Sequence, residues 1–136
     1  MTNQEKKAWL LQYRRLDERI DRLEKAKVRW IERATKMSAP SDGMPRGSSV
    51  SDTVGQAAAK IADLQAEINR EIDQLVDLRR EIEDAIYTVD DPVLQELLER
   101  RYIDGDKWEE IAVRMHYSWR NILRKHGKAL SAVKIP

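Results

Sequence analysis

The side chains with the most usable chemistry lie near the end of the chain. From Ile111 to Pro136 there are six basic residues (Arg114, Arg120, Arg124, Lys125, Lys128 and Lys134) and no acidic one. Arginine matches the acceptor edge of guanine and asparagine the N6/N7 edge of adenine in the major groove. Any of these cations can neutralise a phosphate and release its counterions. A serine heading a helix supplies a cap and leaves backbone N–H groups for a phosphate. Ser118, Trp119, Arg120, Asn121, Arg124, Lys125 and Lys128 are therefore the candidate contacts to double-stranded DNA. For Trp119 two readings stand side by side: a wedge against a sugar or thymine methyl, and a core side chain. For the basic run, the plain alternative is a solvated helix face that complements the macrodipole.

Little else in the chain could do chemistry. The two histidines, His116 and His126, are ten residues apart and form no HExxH pair, and there is no Cys to complete a metal set or a disulfide. The segment DGMPRGSS lacks the Lys-Ser/Thr ending of a phosphate loop, and Ser48, Ser49 and Ser51 have no base partner in sequence. Acidic residues fall at helix-surface spacings beside Lys and Arg, which reads as solvated faces rather than paired catalytic acids. The expectation is no enzyme, no metal and no cofactor.

Helices must position the basic run. Asp91-Pro92 is a helix start, with Asp as cap and Pro in the first turn. It opens a short helix to Tyr102, broken by Ile103-Asp-Gly-Asp106. Asp106 and Glu109 suggest a capping box for a helix through Met115. His116-Tyr117 is a tight connection, and Ser118 caps a last helix to about Val133. Trp108, Ile111, Ala112 and Met115 are expected to face inward on the first of these two helices, and Ile122, Leu123, Ala129 and Leu130 on the second. Two short helices joined by a tight turn are the helix-turn-helix pattern.

Upstream, two long helical blocks carry heptad stripes. Trp9, Tyr13, Leu16, Ile20, Leu23, Trp30 and Met37 step by four and three, with Lys27 and Ala34 in the remaining slots. Thr2 and Glu5 suggest a capping box at the start. Val54, Ala58, Ile61, Ile68, Ile72, Leu75, Ile82 and Ile86 form the second stripe, with Gln65 and Arg79 as polar interruptions and Leu64, Val76 and Leu78 widening it. Between them SAPSDGMPRGSS reads as a flexible connection. Residues 1–37 hold eleven basic and six acidic side chains, a net of +5, and residues 51–91 hold four and eleven, a net of −7. Matched stripes of opposite charge predict pairing, as a hairpin closed on itself or swapped between chains.

Composition agrees with long wet helices: charged residues are 36% and hydrophobic ones 41% of 136, with Gly 5 and Pro 4. No run approaches ~18 uncharged apolar residues, so no membrane span or signal segment is expected, and the default location is intracellular. The total net charge of +1 looks unfavourable for a nucleic-acid partner. That value hides +5, −7 and a final +3 over residues 92–136.

The segment LLERRYIDGDKWEEIAVRMHYSWRNILRKHGKAL, residues 97–130, resembles region four of bacterial sigma factors. The likeness rests on L-x-x-R-Y with a following Gly, on E-E-I-A, on the Y-S opening of the last helix and on its closing K-A-L. It implies a helix-turn-helix that reads a promoter element, with Ser118, Trp119, Arg120, Asn121, Arg124 and Lys125 at DNA-facing positions. Where that motif often has Gly in the turn, this chain has His116, which suggests a slightly different turn. Nothing upstream resembles sigma region two, so a stand-alone promoter-opening factor is not expected.

The full layout is similar to small phage and prophage proteins of Gram-positive bacteria, described as sigma-like or ArpU/RinA-like regulators of late transcription. The likeness implies a phage transcriptional regulator; the hairpin is expected to be the interaction module, for self-association, RNA polymerase or both, and the host-cell cytoplasm is the expected location. The resulting expectation is an all-α chain: a long antiparallel helical hairpin over residues 1–89 with a flexible loop at 38–50, then a sigma-region-four-like helix-turn-helix over 90–136. Two rivals remain in view. A small terminase subunit combines similar parts, typically with the DNA-binding part first, and a helical protein-interaction module would need no DNA.

Overall fold

The computed structural model describes residues 1–38 and 48–136. Those residues are all-α: α1 (Asn3–Leu10), α2 (Gln12–Ser38), α3 (Ser48–Ile86), α4 (Pro92–Leu98), a π-helical segment (Glu99–Ile103), α5 (Trp108–Met115) and α6 (Trp119–Ala132). The expected loop at 38–50 falls mostly on residues 39–47, outside the described ones. Two compact units form, Met1–Asp17 with Gln74–Pro136, and Glu18–Asp73.

The middle unit is a stretch of antiparallel helix pair. Lys27 Nζ donates to Gln65 Oε1 at 2.8 Å, while Arg19, earlier in α2, reaches Glu67 at 3.2 Å and Glu71 at 2.9 Å, later in α3. Partners that move backwards along α3 as α2 advances define the antiparallel sense. Lys27 and Gln65, the polar interruptions of the two stripes, thus meet each other and mark one register.

The first stripe is seated as the spacing predicts. Tyr13 and Ile20 are buried and Trp9, Leu16, Leu23, Lys27, Trp30 and Ala34 half-buried, while the Met37 side chain is outside those described. Most of the second stripe is also seated as expected, with Ile68, Ile82 and Ile86 buried and Val54, Ile61 and Leu75 half-buried, but at Ala58 and Ile72 it turns by one residue. Ala57, Leu64 and Ile68 are buried, whereas Ala58 is exposed, Ile72 39% exposed and Val76 55% exposed. Glu71 takes the slot that Ile72 was expected to fill. Arg19 makes this tolerable by pairing with a carboxylate whose side chain is only 12% exposed.

The other unit gathers both ends of the hairpin around the short helices. One core contains Leu10 and Tyr13, Ile82, Ala85, Ile86 and Val89, Leu94, Leu97 and Leu98, Tyr102 and Ile103, Ile111 and Ala112, and Ile122, Ala129, Leu130 and Val133. The expected division at residues 89/90 therefore does not coincide with the compact units. Residues 1–17 and 74–89 belong with the last helices because they supply part of the same core.

Local chemistry fixes the ends of these helices. Thr2 and Glu5 form the capping box of α1. Asp91 accepts from the Val93 N–H at 2.9 Å, with Pro92 in the first turn of α4. The helix does not continue regularly to Tyr102: Asp104 N–H reaches back to Glu99 O at 3.0 Å, the longer loop of a π-helical turn. Gly105 follows at φ +77, and a Cβ there would collide with the Arg14 guanidinium. Its positive φ is what favours glycine here, since the Arg14 guanidinium is the far end of a flexible side chain that can swing aside.

Candidate nucleic-acid interface

The start of α5 differs from expectation. Lys107, not Asp106, occupies the cap position, and its side chain makes no capping bond. Asp106 instead faces Arg114 at 3.3 Å and Arg100 at 3.8 Å, and its carbonyl accepts from Arg101 at 3.1 Å. Arg114 therefore leaves the set of unpaired cations. The carboxylate holds the start of α5 and the π-helical segment together.

The turn between α5 and α6 is ordered by its backbone. His116 is left-handed at φ 60, ψ 41, and Tyr117 N–H donates to Ala112 O at 3.0 Å. This is the geometry a glycine usually adopts at a helix C-terminus. The expectation of a different turn at His116 is corrected: histidine takes the glycine conformation, at a cost of roughly 1–2 kcal/mol. Ser118 then caps α6, its Oγ accepting from Asn121 N–H at 3.2 Å.

Helix α6 has one buried face, formed by Ile122, Ala129 and Leu130. His126 lies on the same side. Its ring packs against Trp108 in a tilted arrangement, centroids 4.5 Å apart and planes at 58°, and shares a 2.6 Å hydrogen bond with the fully buried Tyr102. Burial, with Lys7 and Arg101 nearby, pushes its pKa down to about 4, and burial pushes the Tyr102 phenol up. His126 is thus a neutral packing residue that ties α6 to the π-helical segment.

Helical periodicity distributes the sequence candidates over the remaining surface. Arg120, Arg124 and Lys128 are exposed and recur every four residues along the middle of the outward face. Asn121 and Lys125 line one flank and are half-buried; Lys125 Nζ sits 4.7 Å over the Tyr117 ring. Trp119 is 46% exposed and borders the other flank, so it is not a core side chain. Leu123, expected as an anchor, is 42% exposed beside Trp119 because it is turned by 100° from Ile122. Arg120, Arg124, Lys125 and Lys128 take part in none of the ion pairs among the described residues. The seven candidates thus lie on one helix and its cap, outside the core.

Sequence patterning missed Lys6. Its Nζ donates to Leu130 O at 2.9 Å and Val133 O at 2.8 Å, placing a cation on the last carbonyls of α6. Asn3 adds a bond to Ser131 Oγ at 3.2 Å. These contacts complement the macrodipole and dock α1 against the end of α6. No local spacing signals a contact between residues 124 positions apart.

Among the described residues no helix is long and apolar enough to cross a membrane. Among the same described residues no group of three or more His, Asp or Glu side chains is placed to hold a metal ion. Comparison of the chain with protein-family models, with curated proteins and with solved structures found no match.

Proposed function

We propose that the chain is a sequence-specific DNA-binding transcriptional regulator of phage or prophage genes, with α5 and α6 as a sigma-region-four-like helix-turn-helix. The observation that carries this reading is the unpaired row Arg120, Arg124 and Lys128 on α6, opposite a fully packed face. Cations held outward without a carboxylate keep their full attraction for phosphate. Arg120, Asn121 and Arg124 add donors that match base edges. A half-buried Lys125 and the capped helix start at Ser118 would position the backbone. The sequence likeness adds the biological setting of late phage or prophage genes, and the helical hairpin is the proposed interaction module, for self-association, RNA polymerase or both.

The double variant Arg124→Glu/Lys125→Glu tests the reading in a mobility-shift assay. Duplex binding is expected to fall more than a hundredfold while helical content by circular dichroism is kept. Unchanged duplex binding would sink the proposal. Ring assembly by mass measurement would favour a DNA-packaging role, and salt-insensitive protein binding without DNA affinity would favour an interaction module.

A further inference from the structure

The cation row leaves a second row on α6 unexplained. Trp119 and Leu123 are 46% and 42% exposed on a helix that buries Ile122, Ala129 and Leu130 completely or nearly so. Four residues apart, they project from one flank about 6 Å from each other. Each is followed by an arginine, Arg120 and Arg124, so the apolar row runs parallel to the cation row, turned from it by about 100°. A purely electrostatic surface needs neither a tryptophan nor a leucine. The four unpaired cations select an anionic occupant, and on the major-groove edge of duplex DNA the one apolar group is the C5 methyl of thymine. A separation of about 6 Å corresponds to roughly two base-pair steps of 3.4 Å.

We infer that Trp119 and Leu123 read thymine methyl groups, so that the preferred site carries thymines about two steps apart beside the positions contacted by Arg120 and Arg124. This rests on the DNA-binding reading and names which bases that surface selects. Arg120, Arg124 and Asn121 supply hydrogen-bond readout, and the apolar row supplies the discrimination that donors alone lack.

The test uses the full chain and a duplex selected from a randomised pool by that chain. The best duplex is remade with deoxyuridine in place of every thymine, which removes methyl groups and leaves every phosphate. Affinity is expected to fall about fourfold for each methyl contacted, and tenfold or more for both. The salt dependence should not change. In Leu123→Ser, whose side chain is outside the core, the loss on going to deoxyuridine should shrink to that of one methyl. Equal affinity for the two duplexes overturns the methyl reading while leaving DNA binding intact. An undiminished deoxyuridine penalty in Leu123→Ser overturns the part assigned to Leu123. Failure to select or bind any duplex overturns the DNA-binding reading itself, and this inference with it.

Discussion

The middle of the hairpin and the last helix use charge in opposite ways. In Glu18–Asp73, Arg19 reaches both Glu67 and Glu71, and Lys27 reaches Gln65, so polar groups are matched across two helices. In α6, Arg120, Arg124 and Lys128 face outward and, with Lys125 on the flank, take part in none of the ion pairs among the described residues. The same residue types therefore serve registry in one place and leave an attractive surface in the other. The total of +1 is blind to this difference, because it counts charges without asking which have partners. Pairing, not net charge, marks where an external anion would be accepted.

That contrast can be broken most severely through the packing beneath the cation row. Ile122 is fully buried, and Ile122→Ala should cost about 3 kcal/mol by leaving a cavity in the core. Its neighbour Leu123 is exposed, and Leu123→Ala should change stability by about 0.5 kcal/mol or less in urea unfolding. Equal costs would mean that α6 is rotated from the position described.

Acid acts on the same face through His126. Its folded pKa of about 4 lies below the ordinary 6.5, so the unfolded chain binds more protons between those values. The stabilisation is complete above about pH 6.5 and is lost as pH falls toward about 4. The full loss is on the order of 2–3 kcal/mol after allowance for partial exposure. His126→Gln should flatten this part of the stability–pH curve relative to the parent. A curve of unchanged shape would contradict the buried, neutral ring.

A smaller effect separates paired from unpaired cations. Arg19→Ala would strand Glu71, whose Oε2 is already buried without a hydrogen bond, and should cost about 1–2 kcal/mol. Arg124→Ala should leave unfolding within about 0.5 kcal/mol of the parent, since nothing in the fold depends on it. Replacing Glu71 by Leu should be neutral or stabilising. A change of opposite sign concerns the turn: His116→Gly should raise stability by about 1 kcal/mol by relieving a left-handed histidine, with the turn unchanged. A destabilised glycine variant would show that the imidazole makes a contact worth more than the strain.

Periodicity and caps made much of the helical architecture legible. Thr2, Asp91 and Ser118 cap the helices they were expected to cap, and Lys27 and Gln65 stood out as polar slots before they were seen to meet. Most of the α3 stripe was legible, but Ala58 and Ile72 were misplaced by one residue in favour of Ala57 and Glu71. Seating Glu71 rather than Ile72 depends on Arg19 in another helix. The role of Asp106 was hidden for a related reason. Its spacing to Glu109 satisfies a capping box, but two arginines compete for the carboxylate and win. Of the candidate interface, the residue set could be read from the sequence, whereas the exposure of Leu123 and the clamp by Lys6 required the packing of α1 and α6.

The salt dependence of duplex binding tests the central claim most directly. With Lys125 and Lys128 on phosphates and Arg120 and Arg124 on base edges, log K against log salt should fall with a slope of about −1.8, and Lys125→Gln and Lys128→Gln should each make it shallower by about 0.9. A slope near zero, or one that the α6 substitutions leave unchanged, would contradict an outward cationic face that binds DNA.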